Sequence, residues 1–303
     1  MRATLRLALP VLSLCLAAGA ALADHRDRDR RPPGGQPVQR GYVTVDGLQI
    51  HYREARPDGD RQRLPVVALH QSPNSGQVYV EFMSLLARDR RVVAPDTPGY
   101  GGSDRPPAAP AVRDYARYME GLAERLGLEQ VDLVGYHTGA SIAVEWARLA
   151  PERVRRLMLV GLPAFDQEER AALAANPWPS PEPLDAARVA AEWRGSKAWQ
   201  GPGQSDESIE RTYLAKLGAG RTGWWGPAAV SDHAFLERLA GVEQPVTVVR
   251  PRDDLWEISD RVRQRLPALP VIDLPERGFG VFETDPERMA GLAREAFDGS
   301  SSP

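Results

Sequence analysis

The stretch Val131-Asp132-Leu133-Val134-Gly135-Tyr136-His137-Thr138-Gly139-Ala140-Ser141 decides how the rest of the chain is read. Its first four positions have the apolar character of a strand buried on both faces, and 141–149 has helical periodicity. Gly135 and Gly139 bracket the turn between them and remove the side chains that would hold strand and helix apart. Similar short apolar runs recur outward from this unit, at 66–69, 92–94, 157–160, 246–249 and 271–274. Helical patterns at 77–88, 112–126, 255–266 and 286–297 separate most of them. Strands alternating with helices predict an α/β fold, with a mostly parallel doubly wound sheet covered by helices on both faces. Residues 41–54 predict a hairpin, because Asp46-Gly47 sits between alternating apolar residues.

Composition narrows the function. The 303 residues are 42% hydrophobic and 26% charged, which suits a globular chain with a large core. Lys+Arg number 38 against 41 Asp+Glu, a net charge of −3 that offers no basic field for nucleic acid. No apolar run reaches the roughly 18 residues of a membrane span. The expected partner is therefore a small-molecule substrate or ligand, with no nucleic acid and no membrane after processing.

Residues 1–23 read as a signal peptide: Arg2 and Arg6 precede an apolar segment, and Ala21-Leu22-Ala23 supplies a cleavage site before Asp24. Export, periplasmic or secreted, is the expected localisation. Cys15, the only cysteine, lies inside that segment, so the processed chain would have no disulfide. Residues 24–40, with alternating charge and then Pro-Pro-Gly-Gly, read as a disordered leader that includes His25. The strand–helix rhythm then breaks between 163 and 233, where five of the seven tryptophans sit (Trp178, Trp193, Trp199, Trp224 and Trp225). That interval reads as a cap inserted into a core of 41–162 and 234–303, with its tryptophans expected to give the pocket an aromatic wall.

The turn at 135–139 resembles the nucleophile elbow of the α/β-hydrolase fold, in which G-x-S-x-G thrusts a nucleophile out over the sheet. His70-Gln71-Ser72-Pro73 is similar to the family's oxyanion loop, 94–104 to the loop after its next strand, and 150–154 to the approach to the strand before the cap. The resemblance spans 41–297 and implies the α/β-hydrolase fold with a helical cap. It also implies an oxyanion hole from the backbone N–H groups of Ser72 and Thr138, and a pocket bordered by His70, Gln71, Tyr136 and Phe279.

Two catalytic positions depart from the family pattern. His137 stands where the nucleophile belongs, and Phe279 stands where the triad histidine belongs. Of the two acids after the 246–249 strand, Asp254 better matches the family's acid, with Asp253 the alternative. The usual serine mechanism cannot run on this set. One reading makes His137 nucleophile or general base, oriented by Asp254. A largely neutral imidazole would be nucleophilic without a separate base, and histidine tolerates the positive φ that such elbows impose. The other reading is a catalytically inactive hydrolase-fold binder, in which Phe279 fills and dries the pocket.

The remaining histidines have simpler expectations. His70 braces the oxyanion loop, His51 is satisfied at an edge or in the core, and His233 is a remote candidate for the missing base. No ligand spacing such as H-E-x-x-H occurs and no nucleotide loop is present, so neither a metal site nor any other cofactor is expected.

Overall fold

The computed structural model describes residues 31–59, 63–176, 183, 185–198, 200, 201 and 203–299. The expected signal peptide, residues 24–30 of the leader, Trp178 and Trp199 lie outside the described residues.

The described strands are β1 (Val38–Val45), β2 (Leu48–Ala55), β3 (Arg63–Leu69), β4 (Arg90–Pro95), β5 (Val131–Tyr136), β6 (Val154–Val160), β7 (Val246–Pro251) and β8 (Val271–Leu274). They form one sheet in the order β1-β2-β4-β3-β5-β6-β7-β8. The β1–β2 and β2–β4 pairs are antiparallel, and every pair from β4 to β8 is parallel. The expected hairpin forms around Asp46 (φ 49°) and Gly47 (φ 81°), a left-handed pair that matches the twist of its strands.

The helices are α1 (Val80–Leu86), α2 (Val112–Arg125), α3 (Thr138–Leu149), α4 (Gln167–Ala175), α5 (Ala186–Ala198), α6 (Asp206–Ala219), α7 (Trp225–Ser231), α8 (Phe235–Leu239), α9 (Trp256–Ser259), α10 (Arg261–Arg265), α11 (Val281–Thr284) and α12 (Pro286–Asp298). The period-two geometry of β3 explains why its apolar run is continuous. Val67 and Leu69 join a core with Tyr115 and Met119 of α2 and Trp146 of α3. Val66 and Ala68 join a second core with Phe82 and Leu86 of α1 and Phe297 of α12. Each large apolar side chain buried in this way contributes roughly 1.5–3 kcal/mol.

Two expectations change. The leader read over 24–40 is ordered before its end: β1 starts at Val38, and Arg88 donates to the carbonyls of Pro33 and Gly34 at 2.8 Å each. These backbone contacts anchor a segment that has almost no apolar side chains to bury. The helix expected over 255–266 divides into α9 and α10, because the Ser259 hydroxyl turns inward to bond both the N–H (2.7 Å) and the carbonyl (3.1 Å) of Leu162.

Helices α4–α7 occupy the expected insertion. β3 has β4 on one side and β5 on the other, so the direction of winding reverses there. The crevice at the carboxyl ends of the strands beside such a reversal is where ligands bind in open α/β sheets.

Candidate active site

The bend between β5 and α3 places His137 at φ 48° and ψ −111°, a conformation costly for a residue with a Cβ. Backbone bonds hold it there: the His137 N–H donates to the Val160 carbonyl at 3.0 Å, and its carbonyl accepts from Ala140 N–H at 2.8 Å. Both glycines of the bend are required by close approach. A Cβ on Gly139 would lie 1.9 Å from the Leu69 carbonyl oxygen, and one on Gly135 would lie 2.6 Å from the Gly139 carbonyl oxygen.

From this bend the His137 ring reaches across the end of β6, and its Nε2 lies 2.8 Å from Asp253 Oδ2. Gly161 makes that crossing possible, since a Cβ there would come within 2.5 Å of Nε2 and 3.1 Å of the carboxylate oxygen. Asp253 is fixed in turn by the Leu255 N–H, which donates to Oδ1 at 3.0 Å. The orienting carboxylate is thus Asp253 and not Asp254, the better family match. The Leu255 bond turns Asp253 inward beneath the ring, while Asp254 faces the cavity.

Electrostatics correct a second expectation. Burial pulls the His137 pKa down, but the charge and hydrogen bond of Asp253 and the charge of Asp254 outweigh it, and the ring sits above the ordinary histidine value. It holds its proton more firmly than the neutral imidazole expected from sequence. Asp254 is also raised, by burial and by the neighbouring Asp253 charge, against the opposing pull of His137.

His137, Asp254 and Phe279 border a cavity of about 560 Å³. The Phe279 ring centroid lies 5.7 Å from that of His137. Gln71 and Ser72 form one side, and the cap supplies Glu192 and Ser196 from α5 with Thr212 and Lys216 from α6. None of the described cap tryptophans lines it; Trp193 instead packs on Tyr213 at 5.2 Å between α5 and α6. In place of the expected tryptophan wall, the cap gives a mostly apolar cavity its polar points. Lys216 donates to Ser196 Oγ at 3.2 Å, and burial lowers its pKa against the opposing charges of Glu192 and Asp254. Sequence reading passed over these four residues. Their signal was the one-turn spacing of 192 and 196 on α5, and of 212 and 216 on α6.

The oxyanion elements are adjacent. The Ser72 N–H donates to Thr138 Oγ1 over a long 3.3 Å. Thr138 is the first residue of α3, so its own N–H has no acceptor within the helix.

Two residues expected at the pocket stand behind it. His70 is fully buried, and its Nε2 accepts from the Thr97 N–H at 2.9 Å, so Nδ1 carries the proton and donates to the Gln71 carbonyl at 2.8 Å. It braces the loop without lining the cavity. Tyr136 is buried in the second core, its ring 4.3 Å from that of His137 and 5.6 Å from that of Phe282, because alternation along β5 turns it away from the crevice. His233 lies off the cavity wall, with its Nε2 3.5 Å from Glu145 Oε2 on α3. His51 is satisfied by Asp96 at 2.8 Å. Although no ligand spacing is visible in the sequence, the fold brings donor atoms of His137, Asp253 and Asp254 within 4.8 Å of one another.

A family model described as alpha/beta hydrolase fold matches residues 65–189. Over 101 residues the chain is 41% identical to 2-hydroxymuconate semialdehyde hydrolase of Pseudomonas sp. (strain CF600), a match covering 32% of this chain and 36% of that relative's length. The chain therefore spans little more than a third of the first curated relative it matches. It is 31% identical over 232 residues to a non-heme chloroperoxidase of Streptomyces lividans, covering 70% of this chain and 81% of that protein. Among solved structures it resembles a thermophilic esterase from Thermogutta terrifontis, with a TM-score of 0.68, 21% identity, and coverage of 85% of this chain and 97% of the esterase. Sheet order, elbow and these similarities together place the chain in the α/β-hydrolase family.

Proposed function

We propose that this protein hydrolyses a small ester or related carbonyl compound, with the His137–Asp253 pair acting as general base toward water. The observation that carries the reading is an imidazole anchored 2.8 Å from a buried carboxylate while its ring borders the cavity at the strand ends. With Nε2 engaged by Asp253, Nδ1 is the nitrogen that takes a proton from water. The water oxygen then bonds to the carbonyl carbon, and negative charge develops on the carbonyl oxygen near the Ser72 and Thr138 N–H groups. Collapse of that intermediate returns the proton from Nδ1 to the departing oxygen. A base role suits this geometry better than a nucleophilic one, because no acyl group has to be carried on a ring already tied to Asp253. The lining is mostly apolar, with Ile209 and Phe279 among its residues and Thr212 and Lys216 as polar points, which suits a small, mostly apolar ester with a few polar groups. Export, read from residues 1–23, belongs to the same proposal.

A second reading, a non-catalytic small-molecule binder, is favoured by Phe279, whose ring faces His137 at 5.7 Å where the family's base would stand. Short p-nitrophenyl esters separate the two. Hydrolysis by the wild type that falls by about 10²–10⁴ in His137→Ala, and clearly in Asp253→Asn, supports the general-base dyad. No turnover by the wild type, with turnover gained in the double variant His137→Ser, Phe279→His, would establish the binder.

A further inference from the structure

We infer that His137, Asp253 and Asp254 form a binding site for one divalent transition-metal ion of the zinc class. One donor atom from each residue lies within 4.8 Å of the other two, although the three come from two loops at the ends of β5 and β7. Bonds of about 2.0–2.2 Å from zinc to nitrogen and oxygen put neighbouring donors roughly 3–3.6 Å apart. The Nε2 to Oδ2 separation of 2.8 Å therefore needs only a slight opening to admit the ion between them. Asp254 completes the set by rotating a side chain that already borders the cavity.

The supports of two donors are built in. His137 is held by the backbone bonds of the elbow, and Asp253 by the Leu255 N–H on Oδ1, which leaves Oδ2 for a ligand. Such outer contacts are what orient metal ligands. Gly161 keeps the space beside both donors open, since any Cβ would intrude on the ring and the carboxylate together. A dication balances two carboxylates and a neutral imidazole, and the imidazole–carboxylate mixture suits zinc or cobalt(II) better than magnesium. With three protein ligands, two of which (His137 and Asp254) border the cavity, the fourth position is left to water or to a ligand oxygen, the arrangement of open zinc sites. The ion takes the place of the proton between Nε2 and Oδ2, which leaves to solvent. The inference stands apart from ester hydrolysis: the protein can bind the ion and hydrolyse nothing, or the reverse.

The test uses the ions alone with the full chain after chelator treatment and dialysis. Cobalt(II) is followed by its visible absorption and zinc by calorimetry. We expect one ion per chain, and binding weakened about tenfold or more in Asp254→Asn and in His137→Ala. Asp254 borders the cavity, so its variant folds, which circular dichroism checks, and His233→Ala binds as the wild type does. Absence of saturable binding by the wild type, or binding of equal strength in Asp254→Asn and His137→Ala, would overturn the site.

Discussion

Two histidine–aspartate pairs in this molecule close at the same 2.8 Å, and they do different work. His51–Asp96 lies under the loop that follows β4. There Asp96 also accepts from Arg53 at 3.1 Å and from the Gly76 and Gly102 N–H groups at 2.8 Å each. Burial alone would raise its pKa, but the His51 hydrogen bond and the Arg53 and His51 charges overcome that and hold it well below the ordinary carboxylate range. In His137–Asp253 the carboxylate accepts besides only from the Leu255 N–H among the described side-chain hydrogen bonds, and one side of the ring borders a cavity. An Asp whose acceptor capacity is spent on two loops and an arginine is a structural joint. An Asp bonded to one ring and one amide leaves that ring chemically available.

The largest expected effect follows from breaking the first pair. Asp96→Asn leaves the buried Arg53 without its carboxylate and, since the amide keeps a single oxygen, withdraws the acceptor from one of the two loops, so unfolding in urea should show a loss of about 3–5 kcal/mol. Linkage gives this loss a pH dependence. A carboxyl whose folded pKa is depressed stabilises fully above its unfolded value, and that stabilisation declines as pH falls toward the folded value. The gap between wild type and Asp96→Asn should therefore be constant near neutrality and narrow below the ordinary carboxylate range. A gap that widens in acid would contradict the assignment of Asp96 as the charged partner.

Gly161→Ala comes next, at about 2–3 kcal/mol. Its φ of +57° is strained for any Cβ, and the added methyl would overlap the His137 ring. Unlike Asp96→Asn, it should also displace the ring from Asp253, so both stability and any ester hydrolysis fall. Asp253→Asn should cost less, about 1–2 kcal/mol by the same unfolding measurement. His137 can release its proton when the carboxylate is gone, whereas Arg53 cannot.

The contrast also explains what was legible in the sequence. The fold could be read because burial on both faces writes itself as apolar runs such as 66–69, and because Gly135 and Gly139 mark the one bend where a strand must touch its helix. The Asp46-Gly47 hairpin was visible for the same local reason. The site was less legible, since its geometry depends on direction across long sequence separations. Nothing local to Asp253-Asp254 says which carboxylate turns inward; the Leu255 amide and the gap at Gly161 decide it. Tyr136 and His70 sit next to site residues in sequence and behind them in space. The cap misled most, because tryptophan content suggested an aromatic wall where one-turn spacings on α5 and α6 deliver Glu192, Ser196, Thr212 and Lys216.

The smallest effect sharpens the comparison most. Asparagine tolerates positive φ better than nearly all other non-glycine residues, so His137→Asn keeps the elbow at φ 48° without added strain. It is too short to reach Asp253, but that carboxylate retains the Leu255 N–H, and removal of the ring opens a path to it for water from the cavity that His137 borders. The net change in unfolding free energy should stay within about 1 kcal/mol. His51→Asn makes the same chemical change in a strand, where φ is ordinary, and withdraws a donor from an Asp96 that is 1% exposed. With no water to replace the imidazole, that substitution should cost about 1–3 kcal/mol. Equal losses in the two variants, measured side by side in urea, would mean that the elbow pair is as structural as its counterpart and that His137 is held for stability.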